Sequence, residues 1–368
     1  MKIRKMYSYY SFAAAGIACA FAVTSCDGGN DPEPPVVEPV ASSAVYFLNS
    51  GNFGSNDASI DFVNLTPENG AGEIVSNLFF TKNGRKLGDT ANDMIVCGRK
   101  LYIAVSGSKT VEVIALDGAS LKQLRFDGDP RYFAAHEGKV YVTLFDGHVA
   151  RIDTATLAVE KTVQVGRNPE QIAVAGNRLY VANSGGLDYM SDIGYDRTVS
   201  VIDIPSFTET EKIEVGVNPV GVAADSEGDI YVASAGNYAD IPAVFQRIDA
   251  NGSVTVVEGI TANKMASSGE RIYILSSQYD ENWNATYAFI AFDAIRETVL
   301  SDHFIEPGSE PSKPYEIGID VQTGHIYVSS SDYVSNGTFH EYDPQGKPVR
   351  RWSLGLNPVK AVAVHSEQ

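Results

Sequence analysis

The sequence predicts an all-β fold, a seven-bladed β-propeller with four-stranded antiparallel blades. Three observations carry this. An aliphatic-Tyr-aliphatic strand recurs seven times, the copies after the first opening after a tight polar turn. A further strand follows each copy and ends, with one exception, on Asp. The last segment of the chain, Ala361-Val362-Ala363-Val364-His365, matches the first strand of a unit, whereas the first copy begins at the second strand. The C-terminal strand is therefore expected to close the first blade, which removes the edges that invite aggregation.

The recurring strand is centred on Tyr46, Tyr102, Tyr141, Tyr180, Tyr231, Tyr273 and Tyr327. Alternating apolar and β-branched residues between turns are strand signals. The third strand ends at Asn64 in the first copy and then at Asp117, Asp153, Asp203, Asp249, Asp293 and Asp343. A short polar side chain there caps a turn. Fourth strands follow, as at Lys161–Val165 and Lys212–Val215. A sandwich would not repeat one pattern seven times, and a helical solenoid needs a helical period that is not visible.

Ahead of the repeats, residues 1–25 read as a secretory signal. Lys2, Arg4 and Lys5 precede an apolar run from Phe12 to Val23, which is short for a membrane span. The run ends in Val23-Thr24-Ser25-Cys26, the order of a bacterial lipobox, so Cys26 is the expected lipidation site. Residues 27–42 are acidic, Pro-rich and free of aromatics, and are expected to act as a tether. The propeller is expected over residues 43–368. With Cys19 lost and Cys26 lipidated, Cys97 has no disulfide partner and is expected to be buried in a strand.

The formal charge of −18 argues against nucleic acid, whose phosphates require Lys and Arg. The six histidines show no metal-ligand spacing, and no nucleophile elbow or phosphate-binding loop occurs. No catalytic residue, metal or resident cofactor is expected. His148, placed in a short loop, is the one histidine worth testing. Asp188, Asp192, Asp196, Asp240, Asp280 and Asp332 lie on loops but lack a calcium-loop pattern.

With strands lettered A to D from axis to rim, the B–C loops and D–A links share one face. The B–C loops are expected at residues 184–197, 235–243, 278–287 and 330–339. They carry aromatic rings that a plain turn does not need. The D–A links are expected to bring Arg131, Tyr132, Lys264, Lys313, Tyr315 and Lys360 near the axis. Large amphipathic rings on a rigid scaffold grip ligands. The ligand-binding candidates are Phe53, Arg131, Tyr132, Tyr189, Tyr195, Tyr238, Tyr279, Trp283, Tyr315 and Tyr333.

The strands Tyr180-Val181-Ala182-Asn183 and Tyr231-Val232-Ala233-Ser234 resemble the tetrapeptide of YVTN-type propellers. So do the links Gly166-Arg167-Asn168-Pro169, Gly216-Val217-Asn218-Pro219 and Gly355-Leu356-Asn357-Pro358. With its lipobox, acidic linker and blade count, the chain is similar to BtuG-type surface lipoproteins. That resemblance implies capture of cobalamin or another corrinoid and delivery to an outer-membrane TonB-dependent transporter. It also implies a lipid-anchored position on the extracellular side of the outer membrane. A protein-interaction or surface-layer propeller, or a glycan-binding or glycan-cleaving one, are the alternatives.

Overall fold

A computed structural model describes residues 44–66, 72–280, 282 and 284–365. The expected signal sequence and tether, Cys26, Trp283 and the Tyr279 side chain lie outside the described residues. The seven expected blades are present, each a four-stranded antiparallel sheet. From axis to rim, blade 2 runs Ala91–Cys97, Lys100–Val105, Thr110–Ala115 and Ser120–Arg125. The inner strands of blades 3 to 7 are Pro130–His136, Pro169–Ala175, Pro219–Ala224, Lys264–Ser267 and Pro314–Ile319.

Blade 1 closes the ring as expected. Its inner strand is Pro358–Val364, paired antiparallel with Ala44–Asn49, with Tyr46 opposite Val362. The next strand outward, Ser59–Asn64, comes from the N-terminal end of the repeats.

The repeated Tyr has a structural task. All seven are buried between blades, none more than 9% exposed. The Tyr46 hydroxyl donates to the Leu116 carbonyl at 2.5 Å, and that of Tyr231 to the Ala294 carbonyl at 2.6 Å. Each of these rings therefore fills an inter-blade core while its hydroxyl satisfies a turn of the next blade. The residues closing strand C cap turns as expected. Asp153 accepts from the backbone of Ala155 and Thr156, Asp249 from Asn251 and Ser253, and Asn64 from Thr66.

The Gly-x-Asn-Pro links have an equally local cause. Asn168, Asn218 and Asn357 adopt φ of +46°, +59° and +54°. Asn tolerates this left-handed region better than most residues, and Pro then starts the inner strand where no ladder donor is lost. The preceding glycines come close to strand C. Gly216 N–H donates to Gln246 Oε1 at 2.6 Å and Gly355 N–H to Asp61 Oδ2 at 3.0 Å. A Cβ at Gly216 would sit 2.6 Å from the Val244 side chain.

Several details differ from expectation. In blade 6, strands B and C continue to Tyr279 and from Ala285, with Gln278 opposite Thr286. The expected 278–287 loop is thus mostly hairpin. Gln278 and Tyr279 continue the unbroken register that pairs Tyr273 with Ala291, which loop composition alone obscured. The 330–339 loop shrinks likewise, because strand C of blade 7 begins at Asn336. His148 opens strand C of blade 3 rather than sitting in a loop, and its ring lies 3.1 Å from Asp146. Cys97 ends an inner strand and is half-buried.

Blade 7 holds a histidine against a buried carboxylate. His325 Nδ1 lies 2.6 Å from Oε1 of the buried Glu341, which also accepts from Arg350 at 3.2 Å. The hydrogen bond to Glu341 raises the His325 pKa above its ordinary value, against burial; Asp320 adds to the rise and Arg350 opposes it. A raised histidine stabilises the fold fully below the ordinary pKa of about 6.5 and loses that contribution as pH rises through the folded value. His325→Gln should therefore lower the melting temperature more at about pH 6 than at about pH 9. An equal loss at both pH values would show that the imidazolium contributes nothing.

Candidate functional site

The inner strands position the site. Pro130, Pro169, Pro219, Pro314 and Pro358 pair with the last residues of their strand B, and a register shift follows each. The shift leaves two residues outside the ladder in blades 3, 4 and 7 and one in blades 1, 2 and 5. Beside or just after it stand Asp93, Tyr132, Gln171, Gly221, Lys264, Glu316 and Lys360 in blades 2 to 7 and blade 1. These residues occupy equivalent positions on the seven inner strands, by the register of the pairs that follow them.

Opposite charges meet across successive blades. Arg131 of blade 3 grips Glu170 of blade 4 through Nε at 3.1 Å and Nη2 at 2.9 Å. Lys264 of blade 6 pairs with Glu316 of blade 7. Lys360 of blade 1 meets Asp93 of blade 2 at 2.9 Å. Blade 5 contributes Val220 and Gly221 instead. Arg131 also lies over Phe145, 4.5 Å from its centroid, and Lys264 over Tyr315 at 5.8 Å.

Burial sets the titration here. It pushes the Glu170 carboxyl above the usual carboxylate range, with Arg131 opposing. It pushes the Tyr132 and Tyr315 phenols up. For Lys264 burial works downward, but Glu316, then Tyr132 and Tyr315, outweigh it and the ammonium pKa is raised. Each of these cations thus has a carboxylate partner at hand across the blade boundary.

Above the ring, on the loop face, lies a cavity of about 960 Å³. Its lining comes from blades 3 to 7 and includes Arg131, Tyr132, Glu170, Tyr238, Lys264, Tyr287, Tyr315 and Tyr333. Asn263, Ser277, Asn284 and Ser331 add neutral donors and acceptors. Tyr132, Gln171 and Met265 also line a cavity of about 410 Å³ that faces the other way, so they form the layer between the two. The Gln171 side chain reaches across blades, accepting from Val222 N–H at 3.2 Å.

Two of the cavity's rings occupy uncommon backbone. Tyr238 and Tyr333 have φ of +57° and +63°. Bulky residues in this region carry strain, which concentrates at ligand sites. Asp332 accepts from Val334 and Ser335 N–H, and these bonds lower its carboxyl pKa to about 2. The Tyr315 and Tyr333 rings meet edge-on at 5.2 Å.

The structure sorts the candidates into groups. Arg131, Tyr132, Tyr238, Tyr315 and Tyr333 line the cavity. Arg131, Tyr132, Lys264, Tyr315 and Lys360 do so, or approach the axis, from inner strands rather than from the links where they were expected. Tyr189 and Tyr195 lie outside the cavity but join it through ring contacts, Tyr189 with Tyr195 at 6.3 Å and Tyr195 with Tyr238 at 6.4 Å. Phe53, 85% exposed, stands on blade 1, away from the lining. Sequence reasoning missed Glu170, Gln171, Glu316 and Tyr287. Part of the signal was present: at the start of the inner strands Asp93, Arg131, Glu170, Lys264, Glu316 and Lys360 alternate in charge from blade to blade, with blade 5 neutral.

The loop carboxylates mostly brace their own loops. Asp280 accepts from Asn282 and Asn284 N–H, Asp240 accepts from Asn237 Nδ2, and Asp188 pairs with Arg167.

Solved propellers resemble this one in fold. Hydrazine synthase of Kuenenia stuttgartiensis superposes with a TM-score of 0.58 at 16% identity, covering 73% of this chain and 90% of that one. A quinonprotein alcohol dehydrogenase-like protein from Bacteroides thetaiotaomicron gives 0.60 at 15% identity, covering 86% and 77%. At such identities the likeness concerns the fold alone. No curated protein matches the sequence. The family described as Domain of unknown function (DUF5074) matches residues 43–328, and the chain belongs to that family.

Proposed function

We propose that this protein is a lipid-anchored capture protein, displayed on the outer surface, that binds cobalamin or another corrinoid in the loop-face cavity. It would release the ligand to an outer-membrane TonB-dependent transporter and would perform no chemistry on it. The observation that carries the reading is the cavity itself. At about 960 Å³ it stands near the top of the usual range of about 300–1,000 Å³. Five tyrosines supply flat apolar faces with polar tips. Its buried charges are already paired, so the site favours a broad ligand without net charge whose amide edges find the Asn, Ser and Tyr groups. Corrinoids have that chemistry.

Titration of the full chain with cyanocobalamin, followed by calorimetry, tests this. Saturable binding is expected. Tyr315→Ala and Tyr333→Ala should each cost about 2 kcal/mol, roughly thirtyfold in affinity. Asn177→Ala and Glu270→Ala, on opposite-face turns, should leave affinity unchanged. No binding by the parent, or equal losses from both faces, would overturn the reading. The exposed Leu187, Met190 and Ile193 would then favour a protein-interaction propeller.

A further inference from the structure

The three tyrosines that run outward from the cavity are more than trim. Tyr238 belongs to the lining, Tyr195 contacts it edge-on, and Tyr189 stacks on Tyr195 with ring planes 26° apart. The series passes from blade 5 to the long B–C loop of blade 4. Tyr189 is 59% exposed and Tyr238 74%. Rings this open are not there to pack their own loop.

The loop that carries two of them is strapped down. Arg167 Nη1 donates to Asp188 Oδ2 and to the Gly194 carbonyl at 2.9 Å. The Arg167 N–H donates to Asp196 Oδ2 at 3.1 Å, and the Leu187 N–H to Asn168 Oδ1 at 3.1 Å. The rings are therefore presented on a fixed base, which lowers the entropy cost of gripping a ligand. Arg167 is spent on this bracing. Of the nearby carboxylates, Asp240 accepts from Asn237 Nδ2, which lowers its carboxyl pKa, so the surroundings disfavour an anion.

We propose that Tyr189, Tyr195 and Tyr238 form an outer subsite that stacks an uncharged or weakly basic planar heteroaromatic group, carried as an appendage of the ligand whose body fills the cavity. The proposal rests on the capture reading for the body of the ligand, and on the ladder alone for the appendage. Stacking on aromatic side chains suits such a group because every planar heterocycle has a π-face. The site then reads a ligand in two parts, one in the cavity and one on the ladder.

The test uses the full chain and a matched pair of corrinoids. Cobalamin carries a benzimidazole nucleotide and cobinamide lacks it. Tyr195→Ala should weaken cobalamin about tenfold and leave cobinamide unchanged, a size expected for one stacked base. Tyr195→Phe should retain cobalamin affinity, whereas Tyr315→Ala should weaken both corrinoids. Equal loss of both in Tyr195→Ala would make the ladder part of one undivided site and overturn the proposal, as would no loss of either. Saturation-transfer NMR with free 5,6-dimethylbenzimidazole separates the two readings. If neither corrinoid binds but the free base gives a Tyr195-dependent signal, the cavity reading fails and the subsite stands. If the free base gives no such signal either, both fail.

Discussion

Removing residues 358–368 should destroy the cooperative unfolding transition of the whole propeller. The deletion takes the inner strand of blade 1, which pairs with Ala44–Asn49 over six positions. Two cores lose members with it. Val362 and Val364 pack with Tyr46 and Leu48, and Ala361 and Ala363 pack with Val45 and Phe47 on the other side of the strand. Asp93, buried, also loses the Lys360 ammonium. Each ladder hydrogen bond contributes about 1 kcal/mol net, and a natural domain has about 5–15 kcal/mol in all. The loss is therefore comparable to the entire stability. Far-ultraviolet circular dichroism on heating would read it. A truncated chain that melts at the parent temperature would refute the closure. An added peptide spanning 356–368 should restore the transition by mass action.

The same closure shows why the fold was legible. Each repeat Tyr must fill an inter-blade core, so the pattern is forced at every unit and a reader needs no alignment to see it. The missing inner strand at the first copy and the surplus strand at the end state the ring directly. The site is written differently. Arg131 and Glu170 lie 39 residues apart, and Lys264 and Glu316 lie 52 apart. Each is a single residue in its own strand, so no local window holds both partners. Which loops converge is likewise unwritten. Phe53 and Tyr333 sit on comparable loops, yet only Tyr333 reaches the cavity, because the cavity lies off-axis toward blades 3 to 7. The sequence places Tyr132 and Tyr315 near the axis but assigns them to links rather than inner strands, since the register shift after the proline is not visible in composition.

The Arg131–Glu170 pair yields the second large effect, and it is lopsided. Arg131 and Glu170 side chains are 20% and 13% exposed. Breaking a buried pair from one side typically costs about 3–5 kcal/mol, because a charge is left without a partner. Glu170→Leu should fall in that range, since a guanidinium cannot shed its proton to escape. Arg131→Met should cost less, because the carboxyl left behind can bind a proton. Burial already pushes Glu170 above its ordinary range, and Arg131 is the main group that resists, with Lys264 adding to it. Without Arg131 the folded pKa rises further above the unfolded one. An acid raised in this way favours the fold at low pH and opposes it as pH climbs through the folded value. Arg131→Met should thus approach parent stability near about pH 5 and fall away toward about pH 8, while Glu170→Leu stays low throughout. The double variant Arg131→Met with Glu170→Leu should recover most of the loss, as replaced buried pairs commonly do. Urea unfolding of the three variants at both pH values gives the coupling energy directly. Additive losses, or equal costs from the two single changes, would show that the pair is solvated and that the ring of charges does not hold the blades together.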